Sequence, residues 1–207
     1  MTVWQQFLMI AGLHFLALLS PGPDFFLIVR SALVNGTRVA SGVCVGIALA
    51  NGLYIALAIS GVAALQEISG LMTALTWAGC AYLAWLGWRF LGVRGSAQLP
   101  TAGGPAARRS SWGKECRVGF LSGILNPKNS LFYASLFSLG FGPATPLTVQ
   151  LAYGTWMFAV VLLWDLVIAR AADHPPVVRH FMAHVRKVER ATGVILLSLA
   201  AGIAWSR

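Results

Sequence analysis

The chain has 207 residues, of which 57% are hydrophobic and only 10% are charged, and its mean hydropathy is +0.74. About a quarter of the residues of a soluble domain are charged, so this composition excludes an ordinary water-soluble protein and indicates a chain embedded in lipid. A net charge of +9 would suit a nucleic-acid-binding protein, but the positions of the basic residues explain it without such a partner.

Six apolar segments are long enough, or nearly so, to cross a bilayer as helices, which takes about 20 residues each. The first segment lacks the basic start and the small-residue cleavage site of a signal peptide, so we expect it to stay as the first span. The prediction is an all-α membrane protein with six transmembrane helices. The six segments cover residues 4–30, 39–65, 70–92, 117–140, 146–170 and 190–206.

The basic residues are concentrated in alternate connections between the spans. Of the 15 Lys and Arg residues, 13 lie between spans 1 and 2, between spans 3 and 4, and between spans 5 and 6. Cytoplasmic loops carry an excess of Lys and Arg. The pattern therefore predicts that these three connections are cytoplasmic and that both termini lie outside.

One connection divides the chain into two halves. Residues 93–116 are rich in Gly, Ala, Ser, Pro and Arg, a composition typical of a flexible linker. They separate a first three-helix repeat (1–92) from a second (117–207). Between the fifth and sixth spans, apolar and basic residues are mixed over 176–190, which predicts a short amphipathic helix at the cytoplasmic surface.

The two halves share a short sequence repeat. When the chain is shifted by 106 positions, LLSPGPDFFLI (18–28) aligns with ILNPKNSLFYA (124–134). Each half holds three spans, and an odd number of spans inverts the second half in the membrane. Inverted repeats with a broken helix at matching positions are typical of secondary transporters, so we expect spans 1 and 4 to be broken at these proline motifs.

Each predicted break carries a polar residue followed by proline, in the pairs Ser20–Pro21 and Asn126–Pro127. Ser and Asn are favoured helix N-caps, and proline is favoured as the first helical residue. Each pair therefore predicts a half-helix that begins inside the membrane. The N-terminal end of a helix is partly positive, so two such ends facing one another would stabilise a carboxylate.

Three ionisable residues, Asp24, Lys128 and Asp165, lie beside the breaks or within a span. Such residues at membrane depth are rare and usually functional. Lys128 is predicted to hold a carboxylate, and Asp24 and Asp165 to hold an ammonium group or carry a coupling proton. Structural alternatives stay open: Asp24 and Lys128 either form an ion pair or cap the half-helices, and Asp165 pairs with a neighbour near the cytoplasmic face. His14 is interpreted as a packing residue, with a proton relay as the alternative.

The other reactive residues predict no enzyme, cofactor or metal site. The three cysteines have no paired spacing, and His180 and His184 lack the Glu of a zinc-protease HExxH motif. An intramembrane enzyme would need a nucleophile–base set that we do not find, and a structural subunit has no need of broken helices. The small-residue motifs GVCVG (42–46) and GFLSG (119–123) favour close helix packing, either within one chain or in a homodimer.

Three motifs together carry a family resemblance: SPGPDFF (20–26), WAGCAYLAWLGWR (77–89) and GFLSGILNPKN (119–129). They resemble the LysE/RhtB family of amino-acid exporters. The resemblance implies a secondary exporter driven by the proton-motive force in the bacterial inner membrane, and relatives also have an Asp in the fifth span that matches Asp165. With Ser20, the residues predicted to bind substrate are Pro21, Gly22, Pro23, Asp24, Asn126, Pro127 and Lys128.

The expected function is export of an amino acid or a related zwitterion in exchange for protons. We expect access to alternate by rocking of one three-helix half against the other around the two breaks. Hydrophilic, branched-chain and basic amino acids all stay open as substrates. The alternative is efflux of another small solute, such as a cation or a metabolite that is not an amino acid.

Overall fold

The computed structural model describes residues 2–65, 71–92, 110–140, 145–172 and 174–205. Within these ranges the chain forms eight α-helices and no strand, which confirms the all-α prediction. Most of the predicted linker, residues 93–109, lies outside the described residues. In chain order the helices are α1 (Val3–Leu19), α2 (Pro23–Asn35), α3 (Thr37–Leu65), α4 (Leu71–Leu91), α5 (Trp112–Leu125), α6 (Pro127–Gly140), α7 (Leu147–Ala171) and α8 (Pro175–Trp205).

Two helix pairs occupy the places of the two predicted broken spans. Between α1 and α2 the chain is interrupted at residues 20–22, and the two helix axes differ in direction by 54°. Between α5 and α6 the interruption is the single residue Asn126. Both breaks therefore lie at the proline motifs.

Length and composition identify fewer spans than the six predicted. Among the described residues, Thr37–Ser60 and Leu147–Ala171 are long and apolar enough to cross a membrane, and the bent pair α1–α2 would make a third span. The broken pair α5–α6 consists of helices of 14 residues each, too short to cross singly. The six-span topology therefore stays a prediction.

The last helix is longer than predicted. α8 is continuous from Pro175 to Trp205, so the amphipathic stretch at 176–190 is not a separate surface helix but the first half of α8. The chain has no proline after Pro176 that would stop the helix. Further along α8, Gly193 packs against Gly87 of α4, and a Cβ on either glycine would lie within 2.8 Å of the other's carbonyl oxygen.

The two small-residue motifs face one another within the chain. On α3, Gly42 lies against the backbone of Trp112, and on α5, Gly119 lies against the backbone of Val43, so close that a Cβ on either glycine would overlap its neighbour. Glycine allows helix backbones to approach in this way. Because the motifs pack α3 against α5, they provide no evidence for the homodimer that the sequence left open.

Buried apolar side chains form two clusters. One includes Ile10, Leu13, Tyr133 and Met157 and joins α1 to the second half of α3 and to α4, α6, α7 and α8. The other includes Ile47 and joins α2 to the first half of α3 and the second half of α7. The residues around the two helix breaks lie where these clusters meet.

Candidate functional site

The second helix break has the local structure that its sequence predicts. Asn126 lies between α5 and α6, and Pro127 is the first residue of α6. The side-chain Oδ1 of Asn126 accepts a hydrogen bond from the backbone N–H of Lys128 at 3.0 Å. This is the geometry of an N-cap, so α6 begins inside the protein as a capped half-helix.

The first helix break differs from the prediction. Ser20 ends α1, Gly22 precedes α2, and Pro23 rather than Pro21 is the first residue of the new helix. A residue that precedes proline is disfavoured in helical conformation, so Gly22 cannot readily continue a helix begun at Pro21. The predicted N-cap role of Ser20 is therefore wrong, and its Oγ is buried with no hydrogen-bond partner among the described residues.

Asp24 lies in the first turn of α2 and is held by side chains around the second break. Its Oδ1 accepts a hydrogen bond from Ser122 Oγ at 2.6 Å. Its Oδ2 accepts hydrogen bonds from Asn126 Nδ2 at 3.1 Å and from Asn129 Nδ2 at 2.9 Å. All three donors are uncharged, and all belong to the second half of the chain.

Lys128 makes the reciprocal connection to the first break. Its Nζ donates hydrogen bonds to the carbonyl oxygens of Ser20 at 2.8 Å and Ala17 at 3.1 Å, at the C-terminal end of α1. The C-terminal end of a helix carries a partial negative charge, which favours a cation there. The predicted alternative of an Asp24–Lys128 ion pair is thus replaced by two crossed connections, each from a charged side chain to the opposite break.

A cavity of about 70 Å³ lies between the breaks. On the scale where a single water occupies roughly 10–15 Å³, it has room for about five waters or a small solute. Both apolar clusters contribute to its walls, through residues such as Ile47 and Tyr133. Of the predicted site residues, the cavity wall includes Ser20, Gly22, Asp24, Asn126, Lys128 and Asp165.

Four polar atoms buried around this cavity make no hydrogen bond within the described part of the chain. They are Ser20 Oγ, His14 Nδ1, Trp164 Nε1 and Asp165 Oδ2. A buried polar atom without a partner costs about 1–3 kcal/mol, and such atoms in a native protein call for a water, an ion or a ligand. The set offers an indole donor, a hydroxyl and a carboxylate to a polar solute.

Asp165 and His14 enter the cavity wall from different helices. Asp165, on α7, is only 6% exposed and belongs to the cavity wall. Its pairing near the cytoplasmic face stays a prediction. His14 is 1% exposed on α1, and its Nε2 lies 3.2 Å from Tyr133 Oη. The imidazole is therefore a packed residue on one side, as interpreted, and a cavity-lining residue on the other.

Several residues of the site were not among those predicted. Ser122 and Asn129 bind Asp24, and Asn51, Tyr133 and Trp164 line the cavity. One signal was available: Ser122 and Asn129 lie four residues before and three residues after Asn126, the spacing of one helix face. Nothing in the spacing of Asn51 or Trp164 indicates the cavity, because their helices meet it only in the folded protein.

Comparison with known proteins identifies the family of the chain. The family model described as LysE type translocator matches residues 15–207. The chain belongs to the LysE type translocator family. The match covers both helix breaks and all of the cavity wall except His14.

Individual relatives of this LysE family chain include efflux proteins. The chain is 25% identical to the threonine efflux protein of Escherichia coli K12, over 97% of this chain and 98% of the relative. It is 30% identical to the homoserine/homoserine lactone efflux protein of Salmonella typhimurium, over 72% of this chain and 70% of the relative. It is also 27% identical to the uncharacterized membrane protein YahN of E. coli K12, over 89% of this chain and 82% of the relative. No solved structure matches the chain.

Proposed function

We propose that this protein exports amino acids, or closely related zwitterions, across the bacterial cytoplasmic membrane in exchange for protons. The observation that carries the proposal is the small cavity between the two helix breaks, whose wall residues include four with a buried polar atom that makes no hydrogen bond among the described residues. Membership of a translocator family and the efflux names of two relatives support the direction and the class of solute.

The cavity offers both ends of a zwitterion a partner. Asp165 Oδ2 is an acceptor suited to an ammonium group, whereas Trp164 Nε1 and Ser20 Oγ are donors suited to a carboxylate. The oxygens of Asp24 already accept three hydrogen bonds. We therefore assign the ammonium contact to Asp165 and give Asp24 the role of positioning the second break.

Exchange of substrate for protons would result from competition between a proton and the substrate ammonium group for the carboxylate of Asp165. A proton and a substrate ammonium group both neutralise Asp165, and neither can bind while the other is there. Binding of one ligand thus weakens binding of the other, and this coupling is reciprocal. In this scheme a proton that enters from outside displaces the substrate, and the substrate displaces the proton inside.

The proposal includes the six-span arrangement in two inverted halves, with both termini outside. The alternating distribution of Lys and Arg along the chain supports it. The proline breaks at matching positions in the two halves support the inversion.

The test is efflux from proteoliposomes loaded with radiolabelled threonine, homoserine, leucine or lysine, with and without an outside-acid pH gradient. We expect the gradient to accelerate exit of one or a few of these amino acids, and a protonophore to abolish the acceleration. Asp165→Asn should remove the response to the gradient. Thr155→Val, an isosteric change on the exposed face of the same helix, should leave it intact.

Two results would overturn parts of the proposal. If folded, membrane-inserted protein moves none of the amino acids, the substrate class is wrong. If Asp165→Asn retains a full response to the gradient, Asp165 does not couple protons to transport.

A second candidate substrate is an amino-acid lactone, because the Salmonella relative is named for homoserine lactone as well as homoserine. A lactone keeps the ammonium group but has no carboxylate. Efflux of the lactone without efflux of the parent amino acid would favour this candidate, and would show that the donors of Trp164 and Ser20 do not bind a carboxylate.

A further inference from the structure

A second cavity, of about 260 Å³, lies between the C-terminal end of α2 and the N-terminal end of α5. It shares no wall residue with the cavity described above. Its walls include two cations, Arg30 of α2 and Lys114 of α5, and one carboxylate, Glu115. These three charges leave one net positive charge in the cavity.

The carboxylate of Glu115 is already engaged. Glu115 is 9% exposed, and its Oε2 accepts a hydrogen bond from Ser31 Oγ at 2.5 Å. Nearby, the backbone N–H of Ser110 donates to Asn35 Oδ1 at 3.1 Å. Ser110 lines the same cavity, and its Oγ is buried without a hydrogen-bond partner among the described residues. The cavity thus presents two cations and an unused hydroxyl.

The cavity is also bordered by apolar side chains at the protein surface. Val34 and Val118 line it and are 44% and 36% exposed. Contact of these valines with an acyl chain would be favourable, because it removes apolar surface from water. A ligand that is anionic at one end and apolar at the other would match the whole surface.

We propose that this cavity binds the phosphodiester headgroup of an anionic phospholipid. A phosphodiester carries a single negative charge, which matches the net charge of the cavity. Arg30 and Lys114 bind its oxygens, Ser110 Oγ donates a hydrogen bond, and the acyl chains pass over Val34 and Val118. Basic cavities between transmembrane helices on the cytoplasmic side bind lipid headgroups in this way.

The bound lipid would join the two halves of the chain. Arg30 belongs to α2 of the first half, and Lys114 lies near the start of α5, the helix that leads into the second half, so one phosphate bridges the two helices beside the Ser31–Glu115 hydrogen bond. This inference does not depend on what the protein transports, because it concerns a site outside the transport cavity.

The test is native mass spectrometry of the full-length protein after incubation with phosphatidylglycerol or phosphatidylcholine of the same acyl chains. We expect phosphatidylglycerol to be retained in preference, and the variant Arg30→Gln/Lys114→Gln to reduce this preference by about tenfold. The matched control Arg170→Gln/Lys187→Gln removes two exposed basic residues elsewhere and should leave the preference intact. If the double variant fails to fold, the single variant Lys114→Gln, a change at an exposed side chain, replaces it in the test. It should reduce the preference for phosphatidylglycerol by a smaller factor.

Two outcomes would overturn the proposal. Equal loss of preference in the control and the test variants would mean that anionic lipid binds by overall charge and not at this cavity. Displacement of the lipid by millimolar inorganic phosphate, with the same dependence on Arg30 and Lys114, would assign the cavity to a free phosphate instead.

Discussion

Asp24 is a carboxylate whose three hydrogen-bond donors are neutral side chains. Ser122, Asn126 and Asn129 surround it, and it lies in the first turn of α2 where the helix dipole favours negative charge. Hydrogen bonds to an ionised acceptor are stronger than neutral ones. The carboxylate therefore fixes the position of the second break relative to the first, and its importance extends beyond any contact with substrate.

Replacement of Asp24 by Asn should destabilise the protein. The new amide keeps one acceptor oxygen but turns an NH₂ group toward side chains that are themselves donors. We expect the free energy of unfolding to fall by about 2 kcal/mol, and efflux to fall with it. The free energy can be measured by denaturant titration in mixed micelles.

Ser122→Ala is the graded comparison for Asp24→Asn, since it removes one of the three donors and leaves the carboxylate in place. It should cost about 1 kcal/mol. If Asp24→Asn abolishes efflux while the free energy of unfolding is unchanged, Asp24 acts on the solute and not as a positioning residue.

At the scale of the helix, the two breaks show what local sequence can predict. The single proline after Asn126 leaves one possible helix start, and the structure has it there. The first break has two prolines, and the choice between them depends on the conformation of the intervening Gly22. The positions of both breaks were predictable from the sequence. At the first break, however, the predicted N-cap and first helical residue, Ser20 and Pro21, are replaced by Gly22 and Pro23.

Contacts between helices were less predictable than the helices. The glycine motifs of α3 and α5 indicated a close contact, but their spacing is the same for contact within a chain and between chains. The crossed connections of Asp24 and Lys128 depend on where two breaks, about 100 residues apart in sequence, meet in space. Spacing along the sequence relates Ser122 and Asn129 to Asn126, but it does not identify Asp24 as the residue that they bind, which emerges only from the folded chain.

The contact between α3 and α5 predicts a sharp difference between two glycines. At Gly46 a Cβ would overlap the backbone carbonyl of Cys116, whereas at Gly12 of α1 a Cβ would meet no atom within 4 Å. Gly46→Ala should therefore lower the free energy of unfolding by about 1–3 kcal/mol, because the helices must move apart. Gly12→Ala should be neutral or stabilise by up to about 1 kcal/mol.

The same micelle titration applied to both glycine variants gives the comparison directly. An equal response of the two variants would mean that α3 and α5 do not pack as closely as described.

At the scale of the whole molecule, charge distribution is the main evidence for orientation. The connections rich in Lys and Arg include the one that precedes α5. In the proposed six-span arrangement this places the start of α5 in the cytoplasm and the N-terminus outside.

Thiol labelling in a background without the three native cysteines tests this orientation. Thr2→Cys should react with a membrane-impermeant maleimide in intact cells. Gly113→Cys, at a position where a Cβ meets no atom within 4 Å, should react only after the cells are permeabilised. Labelling of both variants from outside would contradict the proposed topology.

The glycine contact between α3 and α5 also bears on how the protein can move during a transport cycle. α3 belongs to the first repeat and α5 to the second, yet their backbones touch along two turns or more. A rocking motion that separated the two repeats as rigid units would have to break this contact between α3 and α5. We expect α3 and α5 instead to form a stationary frame, with the mobile parts drawn from the half-helices that end at the two breaks. The helices that move together would then not be the three helices of one sequence repeat.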